Sequence, residues 1–89
     1  MQKLDGKFHG IVVRDLTGEI VPPDQYVIFL AKDNAFPNTL VFYHNECERH
    51  GAGLEQLSAV RRLIERVRMW RLENSELCKV PDAVAGECQ

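Results

Sequence analysis

The chain has 89 residues, 45% of them hydrophobic, enough for one small domain with a modest core and a thin margin of stability. Eleven lysines and arginines against thirteen carboxylates leave a net charge of −2, which argues against a general nucleic-acid binder but allows a local basic patch. Three widely spaced cysteines, Cys47, Cys78 and Cys88, make no disulfide framework and suit a reducing cytoplasm.

The first residues, Met-Gln-Lys-Leu-Asp-Gly, lack the apolar run of a signal peptide. No stretch approaches the roughly 18 apolar residues of a membrane span. A cytoplasmic protein is expected.

Met1–Gly6 reads as a lead-in. Lys7–Arg14 is rich in β-branched and aromatic residues and predicts a strand. Asp15-Leu16-Thr17-Gly18 has the Asp-first, Gly-last preference of a type I turn, after which Glu19-Ile20-Val21 can return antiparallel. Pro22-Pro23-Asp24 breaks the ladder, because neither proline donates a backbone hydrogen bond. The apolar run Gln25–Ala31 predicts a third, well-buried strand. So small a sheet needs helices to pack on.

Lys32-Asp33-Asn34 begins a first helix, with Asp33 or Asn34 as its cap and Pro37 in its first turn. Phe36, Leu40, Tyr43 and Cys47 form a nearly straight stripe along it. Gly51 stops this helix and Gly53 starts the next, so the two are antiparallel neighbours. Gly53–Asn74 carries Leu57, Val60, Leu63, Ile64, Val67 and Trp70 at three- and four-residue intervals. It is the clearest periodic segment, and the residues before it are expected to cover its apolar face. Ser75–Lys79 adds a ragged turn, Val80-Pro81-Asp82 ends it, and Ala83–Gln89 has little to bury and reads as a mobile tail. The expected architecture is therefore α+β: two or three antiparallel strands packed on an antiparallel helix pair, in one domain over residues 1–80, with a tail over 81–89.

His44, Cys47 and His50 raise the question of a metal. Along a helix, His44 and His50 stand about 9 Å apart, too far for two ligands each about 2 Å from one zinc. No metal or cofactor is expected. There is no Gly-x-Ser-x-Gly elbow or phosphate-cradling glycine loop, and a thiol on an apolar helix stripe is usually inert, so the reading is non-enzymatic.

Five arginines ride on the second helix. At 100° per residue, Arg61 and Arg68 fall just beyond one edge of the apolar arc, Arg71 lies inside it near Ile64, and Arg62 and Arg66 face water. The plain account is that their stems cover the core edge while their charges stay solvated, with Glu65 spaced to pair with Arg61 and Arg68. The sharper account is that Arg61, Arg68 and Arg71 bind an anionic ligand or an acidic partner, because the guanidinium fork suits phosphate and carboxylate. Lys32 and Asn34, beside free amides at a helix start, form a second candidate anion site. Tyr43 and Trp70 could stack on a base, although both lie on core-facing stripes. Val41 and Phe42 point away from the first helix's stripe and are read as a subunit or partner contact.

Asp5-Gly6-Lys7-Phe8, Gly18, the run Pro23–Asp33, Tyr43, Cys47, Gly51 and Trp70 together resemble a loose class of small uncharacterised phage and prophage proteins. The chain departs from that class at Gln25-Tyr26, where an acidic residue usually precedes the apolar strand. The resemblance implies a phage-related setting and nothing about catalysis. Small phage proteins often act by occluding a host enzyme, blocking a defence complex or sequestering a signalling nucleotide. The leading expectation is a cytoplasmic homo-oligomer that sequesters an anionic small ligand such as a signalling nucleotide, as in counter-defence. The alternative is a protein–protein inhibitor or adaptor acting on a host protein.

Overall fold

A computed structural model describes residues 2–80, which fall into two compact units, residues 2–28 and 29–80. The make-up is α+β: a two-stranded antiparallel sheet in the first unit and two helices in the second. Among the described residues, no helix is long and apolar enough to cross a membrane.

In the first unit, β1 (Val12–Val13) pairs antiparallel with β2 (Ile20–Val21), Val12 opposite Val21 and Val13 opposite Ile20. The turn between them falls at the predicted residues, Asp15–Gly18, but closes from Gly18 back to Arg14, one residue wider than the predicted four-residue type I turn. Arg14 N–H donates to Glu19 O (2.8 Å), Gly18 N–H donates to Arg14 O (2.8 Å), and Gly18 takes φ +74°, a region open to glycine at little cost. The predicted strand Lys7–Arg14 shrinks to these two residues of β1. Its first part is held by Asp5, which is buried and whose Oδ1 accepts the N–H groups of Lys7 (2.8 Å) and Phe8 (2.9 Å).

The third strand predicted over Gln25–Ala31 does not form. Pro23–Gln25 is a 3-10 turn, with Gln25 N–H donating to Pro22 O (3.0 Å). Tyr26 is extended, but no strand pairs with the residues that follow. Asp5 Oδ2 takes the Ile28 N–H (2.8 Å) and the Tyr26 hydroxyl donates to Gly10 O (3.2 Å), so side-chain bonds replace a ladder. Val27 and Phe29 are more than half exposed. A short apolar run becomes a buried strand only when a neighbouring strand accepts its backbone, and none is present among the described residues.

In the second unit, α1 (Phe36–Arg49) and α2 (Leu54–Glu73) pack on each other. α1 starts later than expected. Asp33 Oδ1 accepts the Ala35 N–H (2.7 Å), Ala35 holds the cap position without a side-chain bond, and Pro37 sits in the first turn. The helix ends in a Schellman motif: Gly51 N–H donates to Glu48 O (3.0 Å), Ala52 N–H donates to Cys47 O (2.9 Å), and Gly51 takes φ +80°. Gly53 then caps α2 in an extended conformation.

Leu57, Val60, Ile64 and Val67 are the buried residues of α2, at helical spacing. Val60, Ile64 and Val67 cluster with Leu40 of α1, and Ala31, Phe36 and Val41 pack against them. The cover for this face thus comes from α1 and the short segment before it. Each such burial contributes roughly 1.5–3 kcal/mol, so four side chains supply most of what holds the helix pair. Leu63 and Trp70, predicted on the same face, lie at its edge and stay partly exposed. Val41 is corrected: it packs against the core rather than facing away, because α1 buries an arc wide enough to include it. Phe42, at the next position, is exposed as expected.

The chain after α2 turns through Ser75–Leu77 and returns to the start of α1. Lys79 N–H donates to Lys32 O (3.0 Å) and Asn34 N–H donates to Lys79 O (2.9 Å), a parallel bridge at Asp33 and Lys79. The predicted break at Val80-Pro81-Asp82 and the tail Ala83–Gln89 fall largely outside the described residues.

Candidate functional site

The last turns of α2, the first turn of α1 and the turn after α2 surround an open groove of about 430 Å³, lined by Pro37, Arg68, Arg71, Leu72, Ser75 and Cys78. That volume is within the usual range of binding sites. Arg68, Leu72 and Ser75 follow one another at four- and three-residue steps, which aligns them on one edge of α2 and its continuation. Asn74 closes the helix by donating both its N–H and its Nδ2 to Trp70 O (2.9 Å each). The next turn brings Cys78 back, its thiol donating to Asn74 O at 3.6 Å. The lining is almost entirely carbon.

Two arginines meet this groove with opposite roles. Arg71 is half-buried. Its Nη1 donates to Ala31 O (3.0 Å) and Asp33 O (3.1 Å), and its Nη2 donates to Asn34 Oδ1 (2.7 Å). Its place inside the apolar arc explains this: a guanidinium drawn from water must satisfy its donors on the protein. Arg68 is exposed, and its nearest carboxylate is Glu65, 3.9 Å from Nη1. Arg61 is exposed two turns earlier on the same edge.

The structure therefore divides the expected ligand-binding set. Arg71 and Asn34 come together on each other. The free amides expected beside Lys32 and Asn34 are not free: Asp33 N–H donates to Leu30 O (3.1 Å), Asn34 N–H to Lys79 O, and Phe36 N–H to Asp33 O (3.0 Å). The Asp33 carboxylate takes the Ala35 N–H, and Pro37 has none. The amides of Asp33, Asn34, Ala35 and Phe36 are thus all taken by acceptors of the chain itself. Arg61 and Arg68 remain as cations on an exposed edge.

Tyr43 and Trp70 stand partly exposed rather than sealed in the core. A hydrogen bond with Cys47 is the main cause that raises the Tyr43 hydroxyl above its ordinary value. Among the described residues, no three His, Cys, Asp or Glu side chains gather closely enough to hold a metal. Nε2 of His44 is buried without a hydrogen-bond partner.

Pro37, Leu72, Ser75 and Cys78 were not foreseen as groove residues. Leu72, one turn after Arg68 and outside the buried arc, was the available signal. The return of Cys78 depends on a turn that has no periodicity to read. No protein-family model, curated protein or solved structure matches the chain.

Proposed function

We propose that the protein is a non-enzymatic binding module that takes an acidic, amphipathic segment of a partner protein into the groove at the end of α2. The observation that carries this reading is the contrast between the two arginines: Arg71 has committed donors to the protein's own acceptors, while Arg68 stands exposed beside an apolar groove. A small, densely charged anion calls for several convergent donors. A protein segment with an apolar anchor and a carboxylate about one helical turn away matches carbon lining with a single cation beside it. A phage setting, implied by the sequence resemblance, makes a host protein the natural partner, bound as inhibitor or adaptor.

A second reading rests on Arg61 and Arg68, both exposed on one edge of α2. There an anionic small ligand such as a signalling nucleotide would be held between the two guanidinium groups at a subunit boundary.

Selection from a displayed library of random peptides tests the first reading. The expected result is enrichment of an apolar residue with Asp or Glu nearby, and binding weakened at least about tenfold by Arg68→Glu or Leu72→Asp but not by Arg62→Glu. Absence of selected peptides, or peptides indifferent to those two changes, overturns it. Nucleotide binding that disappears in the Arg61→Ala/Arg68→Ala variant would establish the second reading.

A further inference from the structure

Leu54, Arg61, Glu65, Arg68 and Leu72 fall within an arc of about 60° along α2. All five are exposed, the two leucines at 80% and 76%. This edge runs beside the buried face, and its order is a palindrome. Leu54 and Leu72 stand nine residues either side of position 63, and Arg61 and Glu65 stand two residues either side of it. Among the described residues Arg61 has no ion pair, and Glu65 reaches Arg68 only at 3.9 Å.

We propose that this edge is a self-association surface on which α2 of a second copy packs antiparallel. A two-fold axis at position 63 sets Leu54 against Leu72 of the other copy and Arg61 against Glu65 of the other copy, and symmetry repeats both contacts. Each Glu65 then lies between its own Arg68 and Arg61 of the other copy. The leucine contacts bracket the ion pairs at both ends. A parallel copy would instead set Arg61 on Arg61 and Glu65 on Glu65, like charge on like. The spacing identifies the occupant. An edge that becomes its own complement when reversed is matched by a second copy, whereas an unrelated partner places no condition on how charges mirror each other about one point. The contact is about 27 Å long, five turns of helix. Its area lies at the low end of specific interfaces and its ion pairs stay near water, so the dimer should be weak, dissociating on the order of 100 µM.

Sedimentation equilibrium up to about 1 mM tests this, together with isotope-filtered NMR on a mixture of labelled and unlabelled protein. The expected result is a reversible monomer–dimer equilibrium with intermolecular contacts between the methyl groups of Leu54 and Leu72. Within one chain about 27 Å of helix keeps those groups apart. Arg61→Glu and Glu65→Arg should each weaken the dimer at least about tenfold, because each sets like charges against each other. An equimolar mixture of the two variants should associate again, since every contact then joins a glutamate to an arginine, and this rescue shows that both variants are folded. A protein that stays monomeric at about 1 mM, whether or not a nucleotide or an acidic peptide occupies its edge, would overturn the inference. So would a dimer indifferent to both charge reversals, a mixture no more associated than its components, or intermolecular contacts centred on Phe42. Arg61 and Glu65 do not line the groove, so loss of this dimer and loss of groove binding are read separately.

Discussion

Nη2 of Arg71 lies 2.7 Å from Oδ1 of Asn34, so a side chain in the last turn of α2 is bonded to the segment that leads into α1. The same guanidinium holds the carbonyls of Ala31 and Asp33. One residue thereby fixes the entry of one helix against the exit of the other, a junction also closed by the Asn34–Lys79 backbone bond. Arg71→Ala should cost about 1.5–3 kcal/mol in urea unfolding, the range for hydrogen bonds to a charged group. Arg71→Lys should recover only part of that loss, because a single ammonium cannot reproduce the fork. Arg68→Ala, at an exposed position with a distant carboxylate, should cost less than about 0.5 kcal/mol. Equal losses at positions 68 and 71 would refute this assignment.

Asp5 is a second organising residue, in the first unit. Its carboxylate accepts from Ile28, Lys7 and Phe8, and these backbone bonds, Ile28 foremost, hold it below its ordinary value of 3.8. A folded value below the unfolded one means that the stabilisation is fully present above the unfolded value. It is lost as pH falls through the folded value. Urea midpoints should therefore show Asp5→Asn less stable than the wild type at neutral pH, with the gap closing below about pH 4. A gap that persists unchanged to low pH would show that the charge of Asp5 is not what holds the turn.

Gly51 takes φ +80°, and a side chain placed there would meet open space. Its requirement is thus one of backbone conformation alone. Gly51→Ala should destabilise by about 1–2 kcal/mol, and Gly51→Asn by less. Thermal unfolding of the two variants provides the comparison, and an alanine variant as stable as the wild type would contradict the Schellman ending.

The core is small enough for a paired truncation to locate it. Leu40 is buried and Leu72 is 76% exposed. Leu40→Ala should cost about 2–5 kcal/mol, enough to threaten folding of so small a chain, whereas Leu72→Ala should change stability by less than about 0.5 kcal/mol. Chemical denaturation of both variants will tell whether the cluster around Leu40 is the packing centre.

His44 buries Nε2 without a partner, a penalty of about 1–3 kcal/mol that an apolar side chain would not carry. His44→Leu should be as stable as the wild type or more so by urea unfolding. A loss above about 1 kcal/mol would mean that the imidazole has a partner in solution.

Much of the helix pair was legible in the sequence because its determinants are local. The three- and four-residue spacing of Leu57, Val60, Ile64 and Val67 predicts both the existence of α2 and its buried face. Gly51 and Gly53 mark the break, and Asp15–Gly18 predicts the hairpin turn, since each needs only its own backbone geometry. The division of the arginines by helical angle was also readable, including the inward placement of Arg71.

What the tertiary structure alone decided were the partners. Nothing in Gln25–Ala31 says that Asp5, twenty-three residues before Ile28, will take its N–H and leave no ladder for a third strand. Nothing near Arg71 says that its acceptors lie at Ala31, Asp33 and Asn34, or that Cys78 returns beside Pro37 to make a groove. Periodicity and turn chemistry act over a few residues, so sequence reports them directly. The satisfaction of buried donors and the enclosure of a groove depend on which distant segments meet, and only the folded chain determines that.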